Sequence, residues 1–463
     1  MGRPAMKVII CGAGQVGLGI AERLASEGND VSIVDSAPEL VQRANDVLEV
    51  RAILGNGAHP DVLQRAGARD ADMLIAVTLA DEVNMVACQI ANNVFDIPTK
   101  IARVRAQSYL DKNWTNLFSR DGITIDYIIS PEIEVGNVVL RRLALPGAFE
   151  TASFANGQIL AVGVNCGPDC PIVDTPIRQL SELFPDLPAS IVGIVRNGEL
   201  VPATSNARLQ TGDDAYVVVP ADQVARTLKI FGHEETQARR IIIAGGGNIG
   251  LFVARAIEQR EQNVRVKIVE SKRERAIQIA ETLQRTVVLN GDALSEDLLR
   301  EADVASAETL VAVTNNDQAN ILTSVLAKQL GCRRSLCLVN GTGYSNMVRS
   351  FGIDAQVSPR LVTVSRILQY VRRGRIRAVH EIHNGSAEIL EAEALETTPV
   401  VGQPIRNLEI SQGIRFGAIM RQGKLIQPVG DTELQPRDRV ILFSPSQNIR
   451  EIEQLFRVSP DYF

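Results

Sequence analysis

The sequence predicts an α/β protein: two doubly wound parallel-sheet, Rossmann-like domains, each followed by a small α+β domain. Three observations carry this expectation. Each half of the chain opens on an apolar strand that runs into a glycine-rich turn. Short apolar runs then alternate with helical periodicity, the pattern of strands joined by crossover helices. The whole arrangement occurs twice, in the same order.

The duplication is read residue by residue. Val8-Ile9-Ile10-Cys11-Gly12-Ala13-Gly14-Gln15-Val16-Gly17 returns as Ile241-Ile242-Ile243-Ala244-Gly245-Gly246-Gly247-Asn248-Ile249-Gly250. Ala71 to Thr78 is echoed by Ala307 to Thr314, Asp81 and Asn84 by Asp317 and Asn320, and Ser130-Pro131 by Ser358-Pro359. Beyond these, Pro176-Ile177-Arg178 returns as Pro404-Ile405-Arg406, and the turn Arg196-Asn197-Gly198 as Arg421-Gln422-Gly423. Gly212-Asp213-Asp214 resembles Pro436-Arg437-Asp438. The expected domains are 1–147 and 240–375, both Rossmann-like, with 148–232 and 376–463 as the small lobes.

In the first Rossmann-like domain, Val8–Cys11, Val31–Val34, Val50–Leu54, Met73–Val77, Ile101–Val104 and Tyr127–Ile129 read as strands. Between them lie helical stretches such as Asp81 to Asn93. Right-handed crossovers then give a parallel sheet. The small lobes read as hairpins, with Ile191–Val195 turning into Leu200–Val201 and Tyr216–Val219 following. The charged stretch Asp222 to Arg240 reads as a helical linker.

Composition suits this class. Hydrophobic residues make up 45% of the 463 and aromatics only 4%, so Val, Ile, Leu and Ala must fill cores of strands buried on both faces. The net charge of −6, with no concentrated basic block, argues against a nucleic-acid partner. No apolar run has the length of a bilayer span. Residues 1–6 lack a signal-peptide stretch, and Met6 stands where a myristoylation motif wants Ser or Thr. The expected location is cytoplasmic. Six dispersed cysteines read as free thiols, and the close pair Cys166 and Cys170 lacks partners for a metal site.

The glycine turns point to a nucleotide. In Gly12-x-Gly14-x-x-Gly17 the first glycine permits the tight turn and the second lets the backbone of Ala13, Gln15 and Val16 approach a pyrophosphate. The third lets helix and strand pack closely. Gly245, Gly246, Gly247, Asn248 and Ile249 repeat the arrangement. Asp35, at the end of the second strand, suits a ribose diol, and Glu270 repeats it. Ser36 with Glu39, and Ser271 with Glu274, read as capping boxes that leave these two acids free. Acids at this position disfavour a 2′-phosphate, so NAD(H) or an adenine nucleotide, ATP or ADP, is expected over NADP.

Thr78 and Leu79 stand at the carboxyl edge of the fourth strand, with Thr314 in the second copy. Thr78 reads equally as a ligand contact or a cap for the next helix. Arg103, ending the fifth strand, reads as a phosphate contact, a solvated charge or half of an ion pair. The second copy has Leu338, Asn340 and Gly341 there, so the two halves should differ in affinity or preference.

Acid/base chemistry is not evident. His59 is the one histidine of the first Rossmann-like domain, and its counterpart is Leu294. Neither a Walker lysine, a zinc-ligand pair nor a nucleophile elbow occurs. The expectation is a sensor rather than an enzyme, with an NAD-dependent oxidoreductase as the alternative.

These residues carry a family resemblance. Gly12-Ala13-Gly14-Gln15-Val16-Gly17, Ala71-Asp72-Met73-Leu74, Asp81 to Cys88, Ile101-Ala102-Arg103, Gly245 to Gly250, and the ending Leu455-Phe456 with Ser459-Pro460 resemble the TrkA family. Its members are peripheral subunits of bacterial Trk potassium uptake systems, built of RCK or KTN modules. The resemblance implies a ring, a tetramer, beneath a TrkH- or TrkG-like transmembrane partner on the inner face of the membrane. It implies that NAD(H) and ATP or ADP bind the Rossmann-like domains and gate potassium flow. It also implies that residues matching the first glycine motif, Asp35, Thr78-Leu79 and Arg103 contact the dinucleotide. The regulator of another potassium or proton-coupled transporter is a further alternative.

Overall fold

The computed structural model describes residues 5–118, 122–234, 237–371 and 376–457. They divide into two compact units, one drawn from residues 1–135 and 359–371, the other from 136–358 and 372–463.

In the first unit, β1 (Lys7–Cys11), β2 (Asp30–Asp35), β3 (Arg51–Leu54), β4 (Met73–Ala76), β5 (Thr99–Arg103) and β6 (Tyr127–Ile129) form one sheet. Its order is β3-β2-β1-β4-β5-β6 and all its pairings are parallel. The strands are short and their interiors mostly apolar because helices cover both faces, with polar residues concentrated at the ends of β2 and β5. Between β1 and β4 the order reverses, and the crevice at such a reversal is where open α/β sheets take ligands.

The second unit opens with a small antiparallel sheet. It comprises β7 (Glu150–Phe154), β8 (Ile159–Asn165), β9 (Ser190–Arg196), β10 (Glu199–Val201) and β11 (Asp214–Pro220), in the order β10-β9-β11-β8-β7. Next comes a second parallel sheet of β12 (Arg240–Ala244), β13 (Arg265–Glu270), β14 (Val287–Asn290), β15 (Thr309–Ala312), β16 (Arg334–Leu338) and β17 (Ala355–Val357). Its order, β14-β13-β12-β15-β16-β17, repeats the first. The last sheet is antiparallel: β18 (Ile376–Ile382), β19 (Ala387–Glu393), β20 (Arg415–Arg421), β21 (Lys424–Ile426) and β22 (Arg439–Pro445).

The small sheets share one apolar core. Ala152, Val192 and Val218 from one pack with Ile389, Ala418, Ile441 and Phe443 from the other. Two glycines permit the approach: a Cβ on Gly193 would stand 2.5 Å from the Phe443 ring, and one on Gly417 2.8 Å from Val218. Glu150 accepts from Tyr216 at 3.1 Å and pairs with His380 at 3.0 Å across the seam.

The helices after the parallel sheets do not stay with their own halves. Helix Pro359–Val371 belongs to the first unit, where Val364, Ile367 and Leu368 pack against Ile20, Ala21 and Leu24, and Tyr370 stacks on Tyr127 at 4.0 Å. Residues 136–144 of helix Pro131–Ala144 belong to the second unit, where Gly136 abuts Phe252 and Arg142 donates to the Gln356 carbonyl. The sequence pattern shows that these segments are helical and amphipathic, but periodicity names no partner.

Two expectations are corrected. Asp222 to Arg240 is not a helical linker: helix Val224–Ile230 buries Val224 and Leu228 in the first small lobe, and Arg240 already opens β12. The two charges within the helix, Arg226 and Lys229, are exposed. The repeat of Gly212-Asp213-Asp214 is Arg437-Asp438-Arg439, because Arg421 grips Asp438 at 2.7 and 2.8 Å as Arg196 grips Asp213 at 2.8 and 2.9 Å. Ser459 and Pro460 lie outside the described residues.

Candidate nucleotide sites

Each turn is built by close backbone packing. Gly12 has φ +112°, and a Cβ there would stand 2.9 Å from the Thr78 amide nitrogen. A Cβ on Gly17 would meet the Gly12 carbonyl at 1.8 Å, so helix and strand close on a bare hydrogen. Gly14 is different, because nothing lies within 4 Å of its would-be Cβ. The second turn matches: Gly245 has φ +109°, a Cβ on Gly250 would stand 2.0 Å from the Gly245 carbonyl oxygen, and one on Gly247 would meet nothing within 4 Å. No side chain caps helix Gln15–Ser26 or helix Asn248–Arg260. Their first-turn N–H groups, those of Gln15, Val16, Asn248 and Ile249 among them, have no acceptor within the helix. An anionic group beside Gly14 or Gly247 would supply one and gain from the helix dipole.

The acids at the ends of β2 and β13 brace these turns. Asp35 accepts from the Ala13 N–H at 2.6 Å and from the Ala37 N–H at 2.9 Å. Glu270 does the same, with the Gly246 N–H at 2.8 Å and the Lys272 N–H at 2.8 Å. The expected capping boxes are absent. The two following helices start at Pro38 and Arg273, with Ala37 and Lys272 as N-caps and no side-chain cap. Asp35 and Glu270 themselves tie down the loop that Ser36 and Ser271 were expected to cap. Each carboxylate oxygen carries one backbone bond, which leaves lone pairs for a ribose hydroxyl.

Thr78 does not cap the following helix. Asn84, fully buried, accepts from the Thr78 N–H and hydroxyl, both at 2.8 Å, and donates to the Thr78 carbonyl at 3.1 Å and the Arg103 carbonyl at 2.9 Å. One amide thus joins the ends of β4 and β5. Asn320 repeats the device on Thr314 and Leu338. Sequence reasoning used Asn84 and Asn320 only as markers of the repeat. Their recurrence six positions after each threonine was the signal available.

Arg103 fits neither a solvated charge nor an ion pair. It is buried, and its guanidinium donates to the Thr78 carbonyl at 2.6 Å while its Nε has no partner. Burial, with Arg105 nearby, pushes it below its ordinary pKa. Asp81 accepts from the Arg105 and Ala106 N–H groups at 2.9 and 2.8 Å, and Arg105 reaches Glu132 at 2.9 Å. Leu79 projects outward, 83% exposed beside this rim. In the second copy Asp317 holds the Asn340 and Gly341 N–H groups, and Leu338 occupies the position of Arg103. Gly12 to Val16, Asp35, Thr78 and Arg103 thus meet on one edge of the first sheet, and Gly245 to Ile249, Glu270 and Thr314 on one edge of the second.

His59 is exposed as the N-cap residue of helix Pro60–Arg65 and makes no side-chain cap hydrogen bond. All six cysteines are free and buried, and burial, then the charge of Asp35, pushes the Cys11 thiol up to about 12. Among the described residues no group of three or more His, Cys, Asp or Glu side chains is placed to hold a metal. No helix among them is long and apolar enough to cross a membrane.

Tandem Rossmann-like sheets, each paired with a small antiparallel lobe, define a double RCK-type protein. The TrkA-N domain family matches residues 8–131 and 241–359, and the TrkA-C domain family matches 162–232 and 389–457. The chain belongs to the TrkA family. It is 58% identical over 458 residues to the Trk system potassium uptake protein TrkA of Azorhizobium caulinodans, covering 99% of this chain and all of that one. The counterpart from Halomonas elongata is 37% identical over 462 residues, covering 99% of this chain and all of the relative. Among solved structures, the GsuK RCK domain superposes with a TM-score of 0.61 at 17% identity over 98% of this chain and 95% of its own. A GsuK channel bound to NAD also scores 0.61 at 17% identity, over 98% of this chain and 79% of its own. At such identity these two show the shared fold alone.

Proposed function

We propose that the chain is the nucleotide-sensing regulatory subunit of a Trk-type potassium uptake system, cytoplasmic and peripheral on the inner face of the membrane. The observation that carries nucleotide binding is the braced, open turn. Asp35 fixes the Ala13 N–H while the space before Gly14 stays clear. A pyrophosphate fits beside Gly12 to Val16, with Asp35 on the adenosine ribose and Thr78 and Leu79 along its carboxyl-edge side. Arg103 acts through the Thr78 carbonyl, which it holds in place. Gly245 to Ile249, Glu270 and Thr314 form the equivalent second site.

NAD(H) and ATP or ADP share the adenosine diphosphate part such a site reads. The role is regulatory: binding biases one conformation of a ring, a tetramer, docked on a TrkH- or TrkG-like translocating subunit. A nucleotide shifts that balance only through a difference in affinity between states, typically about 1–3 kcal/mol. The test is calorimetric titration of the full chain with NADH, NAD, ATP and ADP, alongside an assay for NADH consumption. Saturable binding without turnover supports the reading. Steady consumption of NADH with a small substrate would replace it with an oxidoreductase.

A further inference from the structure

The duplication supplies an internal control for the nucleotide reading, because the two copies differ at one corner. In the first copy the residues from Asp35 to Leu40 hold two acids and no base. In the second, Glu270 to Arg275 hold the same two acids and three bases, Lys272, Arg273 and Arg275. They stand just beyond the second strand of the sheet, Lys272 as N-cap and Arg273 and Arg275 in the first turn of the next helix, where the adenosine ribose of a dinucleotide lies.

This corner is held from two sides. The Asn290 amide donates to the Glu270 carbonyl at 2.9 Å and the Ser271 carbonyl at 3.1 Å. By strand register the first-copy residue in its place is Leu54. Arg275 donates to the Gly246 carbonyl at 3.0 Å, which brings its guanidinium against the glycine turn itself. Its counterpart is Leu40. Lys272 and Arg273 are exposed, and neither side chain has a hydrogen bond or ion pair among the described residues. Their counterparts are Ala37 and Pro38.

Glu270 does not repel an anion here as strongly as its charge alone suggests. It is only 9% exposed, and each carboxylate oxygen is occupied by a main-chain N–H. The expectation that an acid at this position disfavours a 2′-phosphate treated it as free. With the exposed Glu274 counted, the corner holds three bases against two acids, and one of those acids, Glu270, is bonded and covered.

We propose that the second turn selects an adenine nucleotide with a phosphate on the 2′ position of the adenosine ribose, as NADPH carries. Lys272 and Arg273 are the phosphate ligands, and Arg275 and Asn290 are positioning residues. The proposal rests on the nucleotide-binding reading of both turns. It makes the chain a comparator of two cofactor pools, with the first site for the unphosphorylated form.

The experiment is calorimetry on the full chain with NADPH and NADH, and with adenosine 2′,5′-bisphosphate against AMP. One site should prefer the 2′-phosphorylated member of each pair roughly tenfold or more, the worth of a charge-assisted hydrogen bond. Lys272→Ala with Arg273→Ala should abolish that preference while NADH still binds the other site. The converse double variant, Ala37→Lys with Pro38→Arg, should move the first site towards NADPH. Arg275→Ala should lower the preference and Arg275→Lys restore part of it. Equal binding of NADPH and NADH at both sites, or a preference untouched by Lys272→Ala with Arg273→Ala, would overturn the proposal alone. If NADH and AMP fail to bind as well, the nucleotide reading falls with it.

Discussion

Asp35 and Glu270 each serve two purposes, holding a glycine turn in shape and presenting remaining lone pairs at its mouth. Losing a charge-assisted hydrogen bond costs about 1.5–3 kcal/mol, so Asp35→Ala should weaken nucleotide binding at the first site roughly tenfold or more. Calorimetry reads this directly. The glycines separate fold from function. Gly17→Ala drives a methyl into the Gly12 carbonyl, 1.8 Å away, and should lower stability by about 1–3 kcal/mol or more in denaturant melts. Gly14→Ala meets nothing in the protein and should leave the melting temperature unchanged while impairing binding. Asn84→Ala strands the Thr78 N–H and the Arg103 carbonyl, at about 1–3 kcal/mol each, and should be the most damaging of the four. The glycines and the acids were legible in the sequence because their spacing follows from backbone geometry. Asn84 was not read as a site residue, since a buried amide joining two strand ends becomes visible only once β4 and β5 are neighbours. Arg103 likewise announced a cation, but not that it would turn onto a carbonyl.

At the scale of elements, the strands were readable nearly to the residue. In a parallel sheet covered on both faces strands read as apolar runs, as Val8–Cys11 and Met73–Ala76 do, whereas Thr99–Arg103 is less plain because Lys100 and Arg103 interrupt it. Helix starts were harder. Ser36 and Ser271 have the spacing of caps, yet both helices begin two residues later, because Asp35 and Glu270 bind the Ala37 and Lys272 N–H groups and so make those residues the N-caps. The helix at Val224 is hard to separate from the charged stretch around it, because it is only seven residues long and buries just Val224, Thr227 and Leu228. Helix Asn248–Arg260 carries a tie of its own. Glu258 accepts from the Arg285 and Thr286 N–H groups, both at 2.7 Å, the Thr286 hydroxyl at 2.8 Å and the Gln284 N–H at 3.1 Å. Burial alone would raise its pKa, but these donors outweigh it and hold the carboxyl below its ordinary value. A depressed carboxylate stabilises the fold above its unfolded pKa, and that contribution is lost as pH falls through the folded value. Thermal melts of the protein and of Glu258→Gln should therefore differ by a constant amount above roughly pH 5 and converge below it.

For the whole molecule, the duplication was the most informative feature of the sequence, since it implied four sheets in two kinds and their order along the chain. Which helix packs on which sheet was hidden. Helix Pro359–Val371 joins the first unit through Val364, Ile367 and Leu368, a partnership between residues more than three hundred positions apart that periodicity cannot encode. The function proposed for this chain is control of potassium uptake through nucleotide bound by its first Rossmann-like domain. The direct test is uptake at limiting external potassium in the native host lacking this gene, with the membrane partner intact and no redundant potassium system running. The wild-type chain should restore uptake, and Asp35→Ala should restore it weakly or without response to nucleotide. Uptake unchanged by the deletion would contradict the account.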